Sequence, residues 1–128
     1  MLEALRAAAE ENCEVDAYTD LVGFVEFWKS AVSSEVPAFS DRVGGHADIA
    51  ESSEMLCIRP ELVQEDRAEA GYLGKFDEAL ADRIFQDGFR SVTPNGVLGD
   101  ARGMSREIGE RCIEQAADGI AAFLLGRD

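Results

Sequence analysis

The chain has a single histidine, two lysines, three prolines and three cysteines in 128 residues, and no long apolar run. Each scarcity excludes something. One imidazole cannot build a multi-histidine metal site, so chemistry at His46 is acid-base work or borrows ligands from elsewhere. Cys13, Cys57 and Cys112 are odd in number and far apart. A disulfide framework or a zinc site needs closely spaced pairs, so buried free thiols are expected instead. The opening Met1-Leu2-Glu3-Ala4-Leu5-Arg6 lacks the charged-then-apolar pattern of a signal peptide, and no apolar stretch approaches membrane-spanning length. A soluble, intracellular protein, cytoplasmic in location, is the expectation.

Basic charge is scarce as well. Twelve Lys and Arg stand against 26 Asp and Glu, a formal net charge of −14. With no basic stripe to release counterions, nucleic acid and anionic membrane surfaces are poor partners. An acidic surface with few lysines suits high salt, where screening removes self-repulsion, so a salt-adapted, halophilic source is expected. An ordinary acidic cytosolic protein would show the same balance.

What is present is 46% apolar residues, enough to fill one core, and 1–128 reads as a single domain. Leu2, Leu5 and Ala9 predict an amphipathic helix from Met1 to Asn12, and the alternation over Cys13–Thr19 predicts a short strand. Leu21 to Ala31 is apolar enough for a buried helix. Ser33 to Gly45, with Pro37 and the Gly44-Gly45 pair, reads as loop. A helix is predicted from about Glu51 to Ile58, ending near Arg59 because Pro60 disfavours helical geometry before it, and a short helical turn follows from Pro60. Ala70 to Lys75 is a loop, Phe76 to Phe85 has helical spacing, and Thr93 to Asp100 is rich in turn residues. Ile108, Cys112, Ala116, Ile120, Phe123 and Leu124 mark one face of a helix from about Ser105 to Leu125, stopped by Gly126. One strand among several helices suggests an α/β piece.

His46 follows two glycines and lies five residues before Glu51. Glycines let a loop approach a ligand, and a carboxylate in the first turn of the next helix can orient the imidazole. His46 and Glu51 would then form a proton-transfer pair. The same spacing fits a histidine packed near a helix start, with Glu51 favouring the helix dipole. Phe24, Phe27 and Trp28 fit either a pocket wall or the core.

The run His46-Ala47-Asp48-Ile49-Ala50-Glu51-Ser52-Ser53, with Met55-Leu56 and Ile58-Arg59-Pro60-Glu61-Leu62-Val63, resembles the H-A-G-x-x-E-T-S-x-M-L-x-x-R-P-x-L-V signature of the creatininase (creatinine amidohydrolase) family. Gly96-Val97-Leu98-Gly99-Asp100-Ala101 is similar to that family's G-V-x-G-D-P segment, and the helix that follows agrees too. Within the signature Asp48 replaces a glycine, Ser52 replaces a threonine, and Gly45 stands where some members place an acidic residue. A side chain at position 48 is expected to disturb the loop geometry that glycine allows.

The resemblance implies a helix-rich α/β fold with few strands, part of a creatininase-like three-layer domain. It implies hydrolysis of a carbon-nitrogen bond in a cyclic or formyl amide, with two divalent metals, zinc or manganese, often in a hexamer. His46 corresponds to the family's proton-transferring histidine and Glu51 to the carboxylate of its E-T-S. The family's metal-ligand motifs, a glutamate-containing first motif, an aspartate after it and an N-G-H-G-G-N-like loop, have no counterpart here. The chain is therefore expected to correspond to about the C-terminal half of the family. It would be active only if a complementary N-terminal-half chain supplied the metal ligands, or else be a non-catalytic relative serving oligomerisation or interaction; a homo-oligomer or such a complementary chain is the expected partner. Creatinine and a formylated pyrimidine intermediate of flavin-type cofactor synthesis are the substrates the resemblance names.

Overall fold

The computed structural model describes residues 17–126. Within them the order is α1 (Leu21–Glu35), β1 (Val43–His46), α2 (Ile49–Ile58), α3 (Glu78–Asp87), β2 (Leu98–Gly99) and α4 (Arg106–Leu125), with short 3-10 turns between. The result is helix-rich with a small two-stranded sheet, as expected of a partial α/β domain. The helix expected at Met1–Asn12 and most of the strand expected at Cys13–Thr19 lie outside the described residues. The remainder, Ala17 to Thr19, is irregular chain leading into α1.

Helix starts follow local chemistry. Asp20 accepts from Gly23 N–H at 2.8 Å, Asp77 from Leu80 N–H at 3.0 Å and Ser105 from Ile108 N–H at 3.2 Å, each satisfying a donor that the first turn leaves unpaired. α2 ends where expected: Arg59 leaves helical geometry at φ −145°, ψ 66°, ahead of Pro60. α3 ends at Gly88, whose φ is 78°.

The sheet lies where loops were expected. The region from Ser33 completes α1, turns through Pro37–Arg42 and becomes β1, while the turn-rich segment supplies β2. The strands run antiparallel with Val43 opposite Gly99 and His46 opposite Leu98, an irregular register that bulges β1 before the histidine. On the other side of β2, Gly71 N–H donates to Gly99 O and Gly99 N–H to Tyr72 O, so the expected 70–75 loop acts as a further edge. Strands this short carry no periodicity, which is why only pairing defines them.

Val25, Trp28, Ala31 and Val32 of α1, Ile49 and Ala50 of α2, and Ile108 and Cys112 of α4 meet in the core beside Val43. α2 and α4 pack most extensively. Gly109 makes this possible, because a Cβ there would overlap the Ser53 carbonyl. Ser53 Oγ accepts from Ser105 N–H at 3.1 Å, and the Arg106 guanidinium donates to the carbonyls of Leu56 and Cys57. The Arg106 bonds satisfy carbonyls at the end of α2 that the helix itself leaves open. Only the first two turns of α4 reach the core. Of its expected apolar face, Ile120, Phe123 and Leu124 are partly exposed.

Cys57 and Cys112 are free thiols. Cys112 is enclosed, and burial raises its thiol to about 12. Cys57 is only half-buried, contrary to expectation. Because the thiolate is the reactive form, Cys112 should stay unmodified when the native protein is treated with iodoacetamide and should label fully after unfolding, as read by peptide mass mapping. Gly109→Ala should separate α2 from α4 and destabilise the chain by about 1–3 kcal/mol in urea unfolding.

Candidate functional site

His46 is the last residue of β1 and Glu51 lies in the first turn of α2, so four residues, two of them in the turn between, bring them together. Gly45 enters the turn at φ 97°, a left-handed conformation natural only to glycine. Ala47 follows at φ 51°, the one positive value at a non-glycine among the described residues. Such a conformation costs roughly 1–2 kcal/mol for an L-residue. Its N–H donates to Glu51 Oε2 at 2.5 Å, which helps hold it.

Asp48 ends the turn. It sits at φ −87°, ψ −167°, extended backbone that any residue adopts, so the disturbance expected from replacing glycine is absent. Instead the side chain caps α2, with Oδ1 accepting from Ala50 and Glu51 at 2.8 and 3.2 Å. Oδ2 reaches back to Gly44 and Gly45 N–H at 2.7 and 2.8 Å. The carboxyl has no solvent exposure. Burial pushes its proton affinity up, against the opposing pull of the four N–H donors.

His46 Nδ1 lies 3.5 Å from Glu51 Oε2, with the side chains 46% and 37% exposed. Both are open enough to meet a ligand. Phe89 covers the imidazole at a centroid distance of 4.5 Å and a tilt of 41°. On the Glu51 side a cavity of about 450 Å³ opens between α2 and the turn after it, lined by Ala47, Glu51, Ser52, Met55, Ile58 and Leu62 among others. That volume suits a small ligand. On the Phe89 side lies a smaller apolar cavity of about 230 Å³ between α1 and α3.

Glu54, one turn along α2, also borders the larger cavity. Its Oε1 accepts from Trp28 Nε1 at 2.8 Å. Burial raises its proton affinity, the Trp28 bond opposes this, and the nearby Glu51 and Asp48 add to the rise. Of the expected aromatic group, Trp28 therefore contributes both to the core and to this carboxylate, Phe24 packs with it, and Phe24 and Phe27 both pack with Tyr18.

The structure thus brings His46 and Glu51 together, as their spacing suggested. Three contributors were not foreseen. Asp48-Ile49-Ala50-Glu51 carries a capping-box pattern that would have signalled the turn. Glu54 lies one helical turn beyond Glu51. Phe89 arrives from 43 positions away in the chain, with no local signal. The implied zinc or manganese does not fit the residues described: among them no group of three or more histidine, cysteine, aspartate or glutamate side chains is arranged to hold a metal ion.

Folded Glu54 holds a proton more tightly than unfolded Glu54, so its contribution to stability declines as pH rises from the ordinary carboxylate range through its raised value. Glu54→Gln, whose amide oxygen still accepts from Trp28, should remove that decline. Urea unfolding of both forms from about pH 4 to about pH 8 checks it: the variant's advantage should grow with pH.

No helix of the described residues is long and apolar enough to cross a membrane. No curated protein and no solved structure matches the chain. The family model for creatininase, described as creatinine amidohydrolase, matches residues 1–124. Nearly the whole sequence lies inside that match, and the chain belongs to the creatininase family.

Proposed function

We propose that the chain supplies the proton-transfer elements of a creatininase-like amide hydrolase acting on a cyclic or formyl amide. The observation that carries this reading is the His46 imidazole 3.5 Å from the Glu51 carboxylate beside a cavity of small-molecule size. In hydrolysis the carbonyl carbon gains a hydroxyl from water and the carbon-nitrogen bond breaks. An amide nitrogen leaves poorly unless it is protonated. His46 delivers that proton, and Glu51 stabilises the imidazolium before the transfer and orients it during the transfer. Proton transfer of this kind contributes about 10²–10⁴-fold to rate.

The family is generally metal-dependent. In this proposal zinc or manganese is held by ligands that a complementary chain supplies. Creatinine and a formylated pyrimidine are both candidate substrates. The net charge of −14 supports a salt-adapted source, so the assembled form is best sought in molar salt.

A second reading, a non-catalytic relative acting in oligomerisation or interaction, is favoured by exposed apolar side chains at Ile58, Leu62, Phe85 and Leu125. Assays of cyclic and formyl amide hydrolysis with added zinc or manganese decide between them. His46→Ala should lower the activity of the assembled protein by at least about 10²-fold while leaving its metal content unchanged. Full activity in that variant ends the proton-transfer assignment, and absence of turnover with native mass above that of one chain favours the second reading.

A further inference from the structure

We infer that Asp48 is a positioning residue for the His46–Glu51 pair, an inference that rests on the proton-transfer reading above. Its two oxygens hold different elements. Oδ2 accepts from Gly44 and Gly45 in the strand that ends in His46. Oδ1 accepts from Ala50 and Glu51 in the helix that carries Glu51. One planar carboxylate therefore spans the two elements whose separation sets the 3.5 Å distance from Nδ1 to Oε2.

Charge-assisted bonds to backbone N–H groups are stronger than neutral ones, and the Asp48 carboxylate that accepts them is shielded from water. Between the two anchored stretches stands Ala47 in its left-handed conformation, which an alanine keeps only when its surroundings impose it. A glycine at this position, as in the signature, has no side chain to provide such a tether. Asp48 touches no ligand, being fully enclosed, and acts only through the placement of His46.

Placement of Nδ1 against Glu51 Oε2 has a chemical consequence. The negative charge of Glu51 Oε2, 3.5 Å from Nδ1, favours the tautomer with its proton on Nδ1 and leaves Nε2 to take up and deliver the proton at the substrate. If Asp48 is released, β1 and α2 lose their common anchor and the imidazole returns to the tautomer mixture of free histidine.

His46 is the only histidine, so a ¹⁵N-labelled chain gives one set of imidazole signals and its tautomer reads directly from the nitrogen shifts. Asp48→Asn keeps an oxygen for Ala50 and Glu51 but turns an NH₂ group toward the N–H donors of Gly44 and Gly45. Asp48→Ser keeps a capping oxygen that is too short to reach the strand. Both should retain helix content by far-ultraviolet circular dichroism and lose the Nδ1–H tautomer that the unmodified chain shows. A folded variant that retains this tautomer overturns the inference.

Amide hydrogen exchange in the unmodified chain gives a test that needs no variant. Gly44 and Gly45 should exchange slowly, and exchange at the rate of an open loop also overturns the inference. Glu51→Ala separates this inference from the reading beneath it. If Glu51→Ala abolishes the Nδ1–H tautomer but the Asp48 variants do not, only the positioning role fails. If Glu51→Ala leaves the tautomer in place, the pair itself is wrong and the positioning role falls with it.

Discussion

A buried carboxylate with four backbone donors is the constraint around which this structure is arranged. Asp48 caps α2 and ties β1 to it, so a strand of four residues, too short to persist alone, acquires a fixed position against a helix. The left-handed Ala47 and the placement of His46 depend on that tie. Removing the acceptor would leave buried N–H groups unsatisfied, a cost larger than the net gain from an ordinary hydrogen bond.

The helix so anchored is held from behind by α4. Close approach at Gly109, the Ser53 to Ser105 bond and the Arg106 bonds to the end of α2 fix its position along its length. One face of α2 is therefore committed to packing, through Ile49, Ala50, Ser53 and Leu56. The other presents Glu51, Ser52 and Met55 to the cavity. This division lets a ten-residue helix serve both as core and as wall of the candidate site.

Three acids on or at the start of α2 meet different fates for physical reasons. Asp48 is enclosed and saturated with donors, Glu54 is half-buried and balanced by Trp28, and Glu51 stays partly exposed beside the imidazole. Exposure, rather than residue type, separates the enclosed Asp48, which holds the structure, from Glu51 and Glu54, which both border the cavity. Elsewhere the acidic surface coexists with apolar side chains at Phe85, Ile58 and Leu125, which a solitary chain leaves uncovered.

The sequence by itself determined what local chemistry and helical periodicity can specify. The helix spacing of Ile108 and Cys112, the stop before Pro60, the nearness of His46 to Glu51 and the family signature were all readable, because each depends on residues a few positions apart. Only the tertiary structure decided the rest. The sheet pairs Val43 with Gly99 across more than fifty residues, Trp28 finds Glu54 from another helix, and Phe89 covers His46 from a distant turn. Asp48 lies between the two cases. It looked in sequence like a departure from a glycine, and its role as an anchor shows only in the turn through Ala47, which brings the Gly44 and Gly45 donors, four and three residues before it, within reach of its second oxygen.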